Sequence, residues 1–70
     1  MEYLKVLVPG REGQNIDVVI NGETNGKAGE RLILGKGVVL VSVALPHAEE
    51  KEVDLRDTTP SNPKNVEIRA

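Results

Sequence analysis

The chain contains no cysteine, no tryptophan and no phenylalanine, and only one tyrosine. Without cysteine there are no disulfides and no thiolate metal ligands, and the redox compartment is left open. The near-absence of aromatic rings excludes the stacking platforms on which single-stranded nucleic acids are held, because Tyr3 alone cannot build one. A typical sugar site, which also stacks flat rings, is disfavoured on the same ground. The single histidine, His47, cannot form a histidine-rich metal centre. Neither sign of charge dominates: nine basic and eleven acidic residues are interleaved, for a net charge of −2. That balance gives no electrostatic footprint for nucleic acid or for an anionic membrane.

Long apolar runs are missing too. None approaches the roughly 20 residues needed to cross a bilayer as a helix, so membrane insertion is not expected. The first ten residues, MEYLKVLVPG, lack the basic start and extended apolar core of a secretory signal. A cytoplasmic location is expected if the chain is full length.

What the sequence does have is valine in strand-like alternation. Seventy residues allow a single domain, 1–70, with a small aliphatic core. YLKVLV sets Leu4, Val6 and Val8 on one face, and Pro9-Gly10 ends the segment. NIDVVI aligns Ile16, Val18 and Ile20. Asn21-Gly22 and Asn25-Gly26 both read as tight turns, leaving at most a very short strand at Glu23-Thr24 between them. ERLIL is followed by Gly35-Lys36-Gly37 and then by VVLVSVAL, which ends at Pro46. After the polar HAEEK, EVDLR directs Val53 and Leu55 to one side. DTTPSNPK is a loop, and NVEIR places Val66 and Ile68 inward. Six or seven short strands with turns at this spacing indicate an all-β sandwich or barrel, built from antiparallel hairpins because parallel crossovers need longer connections.

The chemical motifs resolve into turns. A phosphate loop needs four residues between its first glycine and the Gly-Lys pair, then a Ser or Thr. Gly22 to Gly26-Lys27 has three, with Ala28 following, and Gly35-Lys36-Gly37 lacks the outline altogether. Asp57-Thr58-Thr59 reads as a strand end whose side chains bond nearby backbone. His47 has only Glu49 and Glu50 as neighbours in a solvated turn, and Asp17, Glu23 and Glu30 lack the spacing of a calcium loop. No catalytic residue, cofactor site or metal site is expected.

The stretch from Ile16 to Leu55 resembles the PEGA domain, a small Ig-like β-sandwich module. The likeness rests on Val18, Ile20, Asn21-Gly22, Gly26, Leu32, Leu34, Gly37, Val39, Val41, Val53 and Leu55. The Pro-Glu-Gly-Ala signature itself is absent. The resemblance implies an Ig-like antiparallel β-sandwich without catalytic residues, and a cell-envelope location if the chain is an excised domain.

LILGKGVVLVSVAL, Leu32 to Leu45, carries more apolar side chains than one strand face can hold. A two-residue hairpin loop at Gly35-Lys36 would put Leu32 and Leu34 on the face of Val39, Val41 and Val43; a three-residue loop would exchange the sets. The two-residue register is the better fit to a II′ turn. It leaves Ile33, Val38 and Leu40 on an outer face, to be covered by a terminal segment of the same chain or by a second copy. The expected function is therefore a non-enzymatic protein-interaction or structural module, its partner another protein or itself as a homodimer. The alternative is a small-ligand site formed by loop residues Arg11, Glu12, Asp57, Thr58 and Thr59 at one end of the sandwich.

Overall fold

Seven strands form in the order β1 (Glu2–Leu7), β2 (Asp17–Ile20), β3 (Glu23–Lys27), β4 (Arg31–Leu34), β5 (Gly37–Val43), β6 (Lys51–Leu55) and β7 (Lys64–Glu67). The structure, a computed structural model, describes all residues 1–70. A three-stranded sheet, β4-β1-β7, packs on a four-stranded sheet, β3-β2-β5-β6. The result is a small all-β sandwich.

The alternation read from the sequence decides which side chains fill the space between the sheets. Thirteen buried aliphatic residues form one cluster, among them Leu4, Val6, Val18, Val41, Leu55 and Ile68. Every strand except β3 contributes to it or is continuous with a residue that does. An aliphatic core of β-branched residues suits a pleated surface, and each buried side chain of this size contributes about 1.5–3 kcal/mol.

Asn21-Gly22 makes the turn expected of it. Both residues have positive φ, 51° and 84°, and they join β2 to β3 as a two-residue hairpin. Asn25-Gly26 does not turn the chain. It lies within β3, where the register with β2 shifts between Asp17 and Val19. Gly26 has φ 73°, and a Cβ there would stand 2.3 Å from Leu32 Cδ2. This glycine gives way to a core leucine of the facing sheet, which is a packing demand invisible to a turn rule.

Gly35-Lys36 is not a hairpin loop. β4 pairs antiparallel with β1, while β5 pairs with β2 and β6, so these two residues carry the chain from one sheet to the other. The side-chain facing expected from the two-residue register nevertheless holds. Leu32 is buried and Leu34 partly so, facing the same interior as Val39, Val41 and Val43. The two inner faces look at one core, so the apolar pattern sets the facing without any ladder between the two strands.

Not every pairing is antiparallel. β1 and β7, the first and last strands, run parallel, with Leu4 beside Lys64 and Val6 beside Val66. The rule that parallel pairs need long connections is obeyed here, because the whole domain is the connection.

Candidate functional site

The three apolar residues expected to share an outer face do not share one. Val38 and Leu40 stand on the outer surface of the four-stranded sheet, 59% and 40% exposed. Ile33 is 54% exposed on β4, on the outer surface of the other sheet. The reason is the sheet change at Gly35-Lys36: residues that would be neighbours across a hairpin end up on opposite sides of the sandwich. No terminal segment folds over any of the three.

On the four-stranded sheet, Val38 lies opposite Asp54 and Leu40 opposite Glu52. Asp54 is held by Arg56 at 2.7 Å. Asn21 fixes the next strand, because its N–H donates to the Leu40 carbonyl and its Oδ1 accepts from the Leu40 N–H, both at 2.9 Å. This patch is thus a short aliphatic pair rimmed by carboxylates.

Around Ile33 the setting is different. Tyr3 is its cross-strand partner on β1. The Arg31 guanidinium sits 5.9 Å from the centre of the Tyr3 ring and donates to the Pro60 carbonyl at 2.9 Å. β4 is also the edge of its sheet. Gly29 N–H donates to the Val6 carbonyl, whereas Tyr3 N–H and the Leu7 carbonyl are engaged on the β7 side. Backbone groups alternate in direction along a strand. Leu32 and Leu34 therefore bond towards β1, and Arg31 and Ile33 direct their N–H and C=O groups away from the sheet, into solvent.

The loop residues of the alternative reading are not brought together. Thr58 is at the start of β1, bonded to Glu2 and Tyr3, whereas Arg11 and Glu12 follow its far end. A six-residue strand, on the order of 20 Å, separates the two groups. Arg11 and Glu12 instead border a hollow of about 270 Å³ that also touches Leu7, Ala28 and Glu67. A second, open hollow of about 390 Å³ lies between the edges of β6 and β7. No three His, Asp or Glu residues converge in a way that could hold a metal ion.

The Thr58 cluster is the one buried polar arrangement, and its sequence signal was only the hydroxyl-bearing DTT loop. Glu2 is buried, and its Oε1 accepts from the Thr58 hydroxyl at 2.7 Å and the Thr58 N–H at 3.0 Å. The same hydroxyl accepts from Tyr3 N–H at 2.7 Å. The hydroxyl bond to Thr58, followed by the backbone bond, holds the Glu2 carboxyl below the usual carboxylate range; burial opposes this, and the terminal amine and Lys36 add to it. All of its hydrogen bonds are internal, so the cluster clamps the last loop to the first strand. At the other end of β7, Glu49 is lowered likewise, chiefly by the Arg69 N–H that donates to its Oε1 at 2.9 Å.

His47 is exposed, with φ 61° in the turn after Leu45, and Asp57 has φ 58° at the end of β6. Both are turn residues by backbone geometry. Compared with known proteins, no family model, no curated protein and no solved structure matches the chain.

Proposed function

We propose that this chain is a non-enzymatic interaction module, a β-sandwich that works by docking a protein. The observation that carries the reading is the exposure of Ile33, Val38 and Leu40, which with Met1 and Leu7 stand outside the core in a domain that buries thirteen other aliphatic residues in one cluster. Val38 and Leu40 stand side by side on one outer face, where strand alternation would accept polar residues, and such an adjacent apolar pair favours a contact surface. The likeness of residues 16–55 to the Ig-like PEGA modules supports the same reading, as does the internal satisfaction of the Glu2–Thr58 cluster.

The test is quantitative capture by the purified domain, comparing wild type with Ile33→Lys and with a Val38→Lys/Leu40→Lys double variant, each checked for folding by circular dichroism. The expected result is a stoichiometric protein partner, which includes a second copy of this chain, retained by one variant and lost by the other. Identical capture by all three proteins would overturn the assignment of these faces.

A further inference from the structure

We propose that the free edge of β4 is a self-pairing edge, through which two copies of this chain join into one continuous six-stranded sheet. The inference rests on the interaction-module reading and names its partner as a second copy. A sandwich of this topology has four edge strands, and three of them are blunted.

β3 carries the register shift and Gly26 at φ 73°, so it offers no regular ladder. On β7, Ile68 N–H points to β1, so Asn65, Glu67 and Arg69 face outward together with Pro63, which has no N–H. Arg69 is already closed off, since its carbonyl accepts from Glu49 N–H at 2.8 Å and its N–H is held by the Glu49 carboxylate. On β6 the outward-bonding residues are Glu52 and Asp54. Centring a two-fold pair on Glu52, Val53 or Asp54 sets carboxylate against carboxylate, which destabilises a strand pair. These are the usual devices against edge-to-edge association.

β4, though as short as β7 at four residues, has none of these three. Its sequence RLIL contains no proline, no acid and no bulge, and its outward-bonding residue at the centre is Ile33. Antiparallel self-pairing about Ile33 sets Ile33 against Ile33 of the second copy, Leu32 against Leu34, Arg31 against Gly35, and Glu30 against Lys36. The last pair occurs twice and joins opposite charges. Both residues are exposed and lie just beyond the two ends of β4, so the pair is a contact between flanking side chains and not a rung of the ladder; Glu30 Oε1 also accepts from Lys27 N–H at 3.2 Å.

Gly35 supplies a second, independent mark. It is the one glycine of the seven without a positive φ, and a Cβ there would meet nothing within 4 Å. Neither backbone conformation nor space in the single chain demands a glycine at this position. In the paired register it stands opposite Arg31, whose side chain lies over Tyr3. The absence of a side chain leaves room for that arginine. The two-fold axis passes through the sheet, so both copies would turn Val38 and Leu40 to the same side of the assembly.

Charge reversal tests the register. In sedimentation equilibrium of the whole chain up to about 1 mM, wild type is expected to show a weak, reversible dimer, because the pairing surface is small. Glu30→Lys and Lys36→Glu should each weaken it about tenfold or more, since two attractive pairs become repulsive. Mixing the E30K and K36E proteins should restore the dimer as a heterodimer, a result that requires residue 30 of one copy to lie beside residue 36 of the other. Ile33→Pro removes an outward N–H and should leave monomer alone. A wild-type chain that stays monomeric at 1 mM, or a mixture that fails to associate, overturns the self-pairing edge while leaving capture of a different partner through Val38 and Leu40 intact. A proline variant that fails to fold does not affect the charge-reversal result.

Discussion

Thr58 grips Glu2 twice, through its N–H and its hydroxyl, across 56 residues of sequence. The hydroxyl also accepts the Tyr3 N–H, so a single side chain ties the loop before β7 to the opening of β1. Thr58→Val keeps the shape and removes the hydroxyl. It should cost about 1–2 kcal/mol from the Tyr3 N–H alone, which loses its acceptor in a partly buried place. Urea denaturation measures this, and a change under about 0.3 kcal/mol would show that water replaces the hydroxyl without loss.

The two lowered carboxyls make stability depend on acid. Glu2 and Glu49 both have folded values below their ordinary ones. Their contribution is fully present above the unfolded value, roughly 4.3, and is lost as pH falls through the lower folded value, where both states become protonated. Melting temperatures followed from pH 7 to pH 2 should therefore fall in the acid range. Glu2→Gln should be less stable than wild type at pH 7 and converge on it near pH 2. Parallel curves for the two proteins would contradict the assignment.

How much of this was legible beforehand depends on range. Alternation alone puts Leu4, Val6 and Val8 on one face, Ile16, Val18 and Ile20 on another, Val53 and Leu55 on a third, and Val66 and Ile68 inward, and all ten are buried. Alternation is local and has period two, so each strand states its own facing. Partnership is not local. Nothing within Leu32–Leu45 records that Leu34 and Gly37 belong to different sheets, and Ile33 was consequently grouped with Val38 and Leu40. Asn25-Gly26 has the composition of a turn, yet what occupies that place is decided by Leu32 of the other sheet. Glu2 has no local signal of its role, because its partner Thr58 lies 56 residues away in sequence.

Two glycines separate these demands experimentally. Gly26→Ala should destabilise by about 1–3 kcal/mol, because alanine is strained at positive φ and its Cβ displaces a buried leucine. Gly35→Ala should raise stability by about 0.4–1 kcal/mol, since the folded backbone accepts alanine and the unfolded chain loses freedom. Thermal melts at low micromolar concentration distinguish the two signs.

Ile33 gives a direct check that its outer face is bare in the single chain. Ile33→Thr should shift stability at 1 µM by no more than about 0.5 kcal/mol, as for an exposed site. A loss above about 1.5 kcal/mol would mean that some part of the chain covers the residue after all.

The parallel pairing of β1 with β7 also governs how the domain bears tension. Its two ends leave from neighbouring strands in opposite directions, β1 entering beside Lys64 and β7 leaving beside Leu7. Pulling those ends apart slides the two strands past each other and loads their cross-links together, whereas an antiparallel terminal pair would peel open one link at a time. The Thr58–Glu2 clamp near one end and the Glu49–Arg69 bonds near the other bracket this shear line. Tension applied at the two ends therefore acts on this pair in shear, and single-molecule extension should register a high rupture force, lowered when Thr58 is replaced by valine.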